Sequence, residues 1–122
     1  RNDMITAAFK SICYQTRDIT ELLIQNKIEI NSLFIDGGMT ANKTFCQLLS
    51  DTLQENTYKP KNIESTALGA CIVSQISEGV SMNDIKSQIE KKYKPQDSLK
   101  DFFEIDYKIW RNYLEKTISN IK

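Results

Sequence analysis

The segment Phe34-Ile35-Asp36-Gly37-Gly38-Met39-Thr40-Ala41-Asn42 gathers the residues best suited to chemistry. It follows a short apolar run, Leu33 to Ile35, and precedes the helical spacing Phe45, Leu48, Leu49, Leu53. Ligands of parallel sheets collect where a strand hands over to a helix. Two adjacent glycines open backbone angles closed to other residues and let a ligand come close to the main chain. The helix behind them offers unpaired amide hydrogens to an anion, and Asn42 carries a donor and an acceptor suited to the edge of a base. The same residues also suit a tight turn in which Asp36 bonds backbone amides and Asn42 only caps the helix, and spacing alone does not separate the two readings. No Gly-Lys-Ser/Thr follows, so this is not a Walker loop, and the glycine spacing is wrong for a dinucleotide fingerprint.

These residues need elements to hold them. Upstream, Met4, Ile5, Ala8, Phe9, Ile12, Cys13, Ile19, Leu22 and Leu23 trace a helical stripe with a stutter at Gln15 and Thr16. No start signal precedes Met4, so position 1 reads as a cut. Leu33-Phe34-Ile35 has the pattern of a strand buried on both faces. Asn56 to Lys59 is a weaker strand ended by Pro60. Thr66 to Glu78, with Ala67, Ala70, Cys71, Val73 and Ile76, is a small-residue helix that Gly79 terminates. Helix-strand-helix-strand-helix in this order predicts a right-handed parallel unit and an α/β class.

Beyond Gly79 the pattern is helical only. Ser81 caps a short helix with Met82, Ile85 and Ile89 inside, broken at Tyr93-Lys94-Pro95. A terminal helix from Ser98 follows on the stripe Leu99, Phe102, Phe103, Tyr107, Trp110, Tyr113, Leu114, Thr117, Ile121. The stripe reads as core, Trp110 and Tyr113 included.

Composition narrows the function. The 122 residues fit one domain, and 16 basic residues balance 16 acidic ones without a long run of either sign, which argues against nucleic acid and anionic membranes. No apolar stretch approaches a membrane span and no leader opens the chain, so an aqueous, cytoplasmic setting is expected. Cys13, Cys46 and Cys71 are dispersed among apolar residues and read as reduced, packed thiols. Without histidine there is no Ser/His or Cys/His nucleophile and no zinc set.

Three segments in order carry a resemblance. Ser11-Ile12-Cys13-Tyr14-Gln15-Thr16-Arg17-Asp18, Asp36-Gly37-Gly38-Met39-Thr40-Ala41-Asn42 and Glu64-Ser65-Thr66-Ala67-Leu68-Gly69-Ala70 are similar to the C-terminal domain of glycerol kinases, and Tyr107-Lys108-Ile109-Trp110 resembles that family's last helix. The last two of the three segments occur across the wider carbohydrate kinases. The first favours glycerol kinases within them.

The resemblance implies the C-terminal part of an actin/hexokinase-like, ribonuclease-H-like ATPase domain, helix-rich, with a nucleotide-binding half at 1–79 and a helical extension at 80–122. It implies that ATP or ADP meets Gly37, Gly38, Met39, Thr40, Ala41 and Asn42, with Gly38 near the α-phosphate, Asn42 at the adenine and the others along the path. Thr66 to Ala70 would begin a helix that packs close behind this loop. No residue is assigned to catalysis or to a metal. The aspartate, magnesium site, phosphate loops and glycerol ligands of the family belong to segments before residue 1, so the chain alone is expected to be inactive. Absent strands would leave a sheet edge and an apolar area open, which self-association would cover. Two alternatives remain: a related kinase acting on another polyol or sugar, and a non-catalytic interaction module.

Overall fold

Residues 2–62, 64–81 and 88–120 are described by a computed structural model. Helix α1 (Asn2–Gln25) runs to the strand β1 (Leu33–Phe34), a 3-10 turn (Gly38–Ala41) and helix α2 (Lys43–Leu53). Strand β2 (Thr57–Pro60), helix α3 (Ser65–Ser77) and strand β3 (Ile89–Tyr93) come next, then a 3-10 turn (Asp97–Leu99) and helix α4 (Lys100–Ser119). The sheet order is β1-β2-β3, with β1 parallel to β2 and β3 antiparallel to it. The α/β class and its parallel unit are as expected.

The helices end where the backbone can reverse. At α3, Gly79 at φ 91° lets its own N–H reach Ile76 and that of Val80 reach Gln75, which satisfies carbonyls the helix leaves unpaired. Lys27 takes the same left-handed conformation after α1, with Lys27 N–H on Ile24 and Ile28 N–H on Leu23.

One face of the sheet carries the core. Cys13, Ile35, Phe45, Cys46, Leu49 and Tyr93 are buried together, with Phe9, Leu33, Leu48 and Leu53 against them. Leu48 also touches the second cluster, Tyr14, Phe103 and Tyr107, where α4 packs on α1 and α2. The period of two in β1 decides its burial: Leu33 and Ile35 turn toward the helices, and Phe34 turns to the other face and is 58% exposed. Among the described residues β1 is therefore covered on one face, not both.

Residues 89–93 correct the sequence reading. They form a strand, because β2 offers them an open edge; the rest of the expected short helix, 82–87, lies outside the described residues. Ile89 is 51% exposed, and only Tyr93 reaches the core. Lys92 over the Tyr58 ring and the 3.0 Å Lys59–Glu90 pair hold the ladder across the strands. The register slips at Lys59/Pro60, where proline has no N–H to give. The turn after β3 is pinned by the buried Asp51 carboxylate, which accepts from Gln96 N–H (2.8 Å) and Gln96 Nε2 (3.1 Å).

Two further expectations fail for want of a covering layer. α3 buries none of its described side chains, and a Cβ on Gly69 would meet open space, so among the described residues this helix does not pack close behind the loop. On α4, Tyr113 is 66% exposed, since the contact face narrows to Phe103, Tyr107 and Trp110.

Cys71 is exposed, unlike the other two cysteines. Burial pushes the Cys13 thiol up to about 12 and raises that of Cys46 as well. A thiolate reagent at pH 8 is expected to label one thiol rapidly, Cys71, and all three only in denaturant. Fast labelling of two or three in the native chain would contradict this packing.

Candidate functional site

The site begins at the end of β1, where Ile35 N–H bonds Tyr58 O at 2.9 Å. Gly37 then adopts φ 90°, ψ 171°, a region open essentially to glycine. Its carbonyl accepts from Thr40 N–H (3.0 Å) and from the Thr40 hydroxyl (2.7 Å). Thr40 is buried, and the Cys46 thiol donates to its carbonyl at 3.4 Å. A short 3-10 turn thus separates strand from helix and fixes the loop from inside.

Asn42 follows as the cap of α2. Its Oδ1 accepts from Thr44 N–H at 2.9 Å and Phe45 N–H at 3.2 Å, satisfying two of the helix's unpaired donors. The helix terminus is therefore partly closed by the chain itself. Asn42 as a residue stays exposed.

An open groove of about 390 Å³ runs along the loop. Leu33, Phe34, Ile35, Gly37, Gly38, Met39 and Thr40 border it, together with Phe45 and Leu49. Ala41 and Asn42 are exposed just beyond it. Among the described residues, its two chain neighbours aside, a Cβ built on Gly38 meets nothing within 4 Å. Among the described residues no lysine or arginine lines this groove, and Asp36 is its only charged border. A larger groove of about 600 Å³, between Phe34 and Leu68 on the sheet's other face, does not include the glycine loop.

A Tyr or Arg on a long helix often bonds only locally, but Tyr14 and Arg17 of α1 reach across to α4. Tyr14 donates to Asp106, and Lys10 pairs with the same carboxylate at 2.6 Å. Arg17 bonds Glu104 and Glu21 and lies over the Tyr107 ring. Asp18 accepts from Tyr107 (2.5 Å) and Arg111 (3.2 Å). Residues 10, 14, 17 and 18 thus present a polar stripe that docks α4, and its complement at 104, 106 and 111 was readable as opposite charge at helical spacing.

The charges of this seam respond to pH from both ends. Arg17, then Lys108, hold Glu104 below its ordinary value of 4.5. Burial pushes Asp106 up, but the bonds from Lys10 and Tyr14 outweigh it and leave it below 3.8. Tyr14 and Tyr107 are raised, first by burial and then by their bonds to Asp106 and Asp18. The carboxylates stabilise the fold above their ordinary values, and this is lost as pH falls through the lower folded ones. The tyrosines contribute below 10.0, their ordinary value, and this is lost as pH rises through the higher folded ones. A urea midpoint that is level from about pH 5 to 9 and falls outside that range is expected; one that rises on acidification to pH 3 would refute the assignment.

The family model for the FGGY family of carbohydrate kinases, C-terminal domain, matches residues 1–77, which takes in α1, the glycine loop and α3. The chain belongs to the FGGY family. Within it, glycerol kinases of Corynebacterium kroppenstedtii and Staphylococcus haemolyticus are each 34% identical over 96% of this chain. This chain spans 24% of the length of either. Among solved structures, the xylulose kinase of Rhodospirillum rubrum superposes with a TM-score of 0.75 at 18% identity, covering 93% of this chain and 24% of that one. The Plasmodium falciparum glycerol kinase solved with ADP gives 0.73 at 25% identity over the same shares. The actin/hexokinase-like fold of these kinases is thus the fold of this FGGY chain.

Proposed function

We propose that this chain is the adenine-nucleotide-binding, C-terminal part of an ATP-dependent glycerol kinase, a cytoplasmic enzyme that converts glycerol to glycerol 3-phosphate. The observation that carries the reading is Gly38: a backbone turn bare of side chains, held from within by Thr40 and opening on a groove. Such a surface suits close approach of an α-phosphate, and the exposed residue Asn42 suits the base. In this reading the half at 1–79 supplies these contacts, and α4, in the half at 80–122, packs on Tyr14 of α1.

Phosphoryl transfer itself needs positioned charge and metal. The groove has no cationic side chain, and among the described residues no cluster of three or more acidic or thiol groups is placed to hold an ion. In this reading magnesium, which binds through one or two carboxylates together with substrate phosphates and water, is held by another part of the enzyme. Hydrogen bonds to a charged group contribute about 1.5 to 3 kcal/mol each, and a micromolar site needs about 8 kcal/mol net. The 122-residue chain alone is expected to bind ATP at millimolar concentration or not at all and to be inactive, while the full enzyme phosphorylates glycerol with ATP. The open outer edge of β1 beside exposed Phe34 is where isolated chains would associate.

Calorimetry on the chain and a coupled ADP assay of the full enzyme, run on glycerol and a panel of polyols and sugars, test the reading. Micromolar ATP affinity in the chain alone, or a full enzyme that ignores glycerol but accepts a pentulose, would overturn it.

A further inference from the structure

We propose that Thr40 is a positioning residue for the nucleotide: its buried hydroxyl holds the Gly37–Gly38 peptide so that the Gly38 N–H is turned out of the loop. The inference rests on the nucleotide reading of this loop and adds the residue that aims its backbone donor.

The peptide between two glycines is the one that sterics hold least, because neither side carries a Cβ. Its atoms share a plane, and in the trans form the carbonyl and the N–H point opposite ways, so whatever holds the Gly37 carbonyl also aims the Gly38 N–H. Thr40 holds that carbonyl twice, through its N–H at 3.0 Å and its hydroxyl at 2.7 Å. The first bond belongs to the 3-10 turn and would form with any residue at 40 except proline. The hydroxyl adds the second and occupies the carbonyl's other lone pair. Thr40 is itself a fixed point: it is 2% exposed, and its own carbonyl accepts the thiol of the fully buried Cys46. So buried, it offers a nucleotide almost no surface and acts through the peptide. The Gly38 N–H, by contrast, has no acceptor among the described residues, and Gly38 is exposed at the border of the groove. An open backbone donor suits an anionic oxygen, and holding it at one angle beforehand spares the cost of ordering it on binding.

A hydroxyl on the carbonyl three residues back is also a common local turn bond, and kinetics tell the two roles apart. The full enzyme is compared as wild type, Thr40→Val, Thr40→Ser and Gly38→Ala, with ATP dissociation constants by calorimetry and separate KM values for ATP and glycerol. Valine matches threonine in shape and lacks the hydroxyl. It is expected to raise the dissociation constant and the KM for ATP about tenfold, with the KM for glycerol unchanged within about twofold. Thr40→Ser keeps the hydroxyl and is expected within about threefold of the wild type for ATP. A bond that serves only the fold would lower the melting temperature and the active fraction, hence kcat, and leave both KM values in place. That result would overturn the proposal. So would an unchanged ATP affinity in Thr40→Val, or equal losses in valine and serine, which would assign the effect to the methyl group. If Gly38→Ala still loses ATP in any of these cases, the nucleotide reading stands and only this inference fails; if Gly38→Ala also binds ATP like the wild type, both fail. Should Thr40→Val not fold, Thr40→Ala removes the same hydroxyl without adding a methyl group, and the same outcomes decide.

Discussion

Gly38→Ala is expected to weaken nucleotide binding in the full enzyme by about a hundredfold while leaving stability unchanged or slightly higher, and Gly37→Ala is expected to do the reverse to stability. The two neighbours differ in what constrains them. Gly37 sits at φ 90°, ψ 171°, where an L side chain costs about 1 to 3 kcal/mol, and its carbonyl anchors Thr40. Gly38 lies outside the positive-φ region, and among the described residues, its chain neighbours aside, a methyl group there meets nothing within 4 Å. An alanine that fits its backbone removes freedom from the unfolded chain and adds about 0.4 to 1 kcal/mol. Nothing among the described residues therefore requires glycine at 38. A phosphate lying against this backbone would require it, since a methyl group that pushes it off would forfeit a hydrogen bond to a charged group, about 1.5 to 3 kcal/mol or on the order of a hundredfold in affinity. Thermal melts of the two variants, with ATP titrations beside them, separate the cases. A Gly38→Ala enzyme that binds ATP like the wild type would remove the nucleotide from this loop, and one that melts early would make Gly38 a structural glycine.

The same contrast explains what the sequence made legible. The glycine loop and the helices α1, α2 and α4 depend on residues close together in the chain, so apolar spacing and turn chemistry were enough. Ile89 to Tyr93 was not readable in this way. Its apolar residues four apart fit a helix as well as a strand, and the edge of β2 that decides between them lies about thirty residues earlier. Burial was legible only as far as both partners were present. Phe34 and the α3 face are apolar in sequence yet exposed, because among the described residues nothing covers them. Asn42 shows the limit at the site: its residue type allowed a cap or a base contact, and only the two bonds from Thr44 and Phe45 show that its oxygen is engaged in the cap.

The docking of α4 should depend on Tyr107 more than on any ion pair in the seam. Tyr107 is buried, ringed by Tyr14, Trp110 and the Arg17 guanidinium, and its hydroxyl donates to Asp18. Tyr107→Ala removes the ring from both the cluster and the cation, and about 3 to 5 kcal/mol is expected to be lost, as for other large aromatic truncations. Against a total of about 5 to 15 kcal/mol for a domain of this kind, that is a large share. Tyr107→Phe keeps the ring and leaves Asp18 with Arg111 as a partner, so the cost falls to about 1 to 2 kcal/mol. Arg111→Ala breaks pairs at a side chain that is 45% exposed, and less than about 0.5 kcal/mol is expected. Trp110 is the only tryptophan and packs on Tyr107, so its fluorescence reports this seam directly while far-UV circular dichroism follows the whole chain. Urea unfolding of the three variants by both signals should give that order of losses, with the Trp110 transition shifted most in Tyr107→Ala. Equal losses for Tyr107→Ala and Arg111→Ala would mean that charge, not the buried ring, holds α4 on α1.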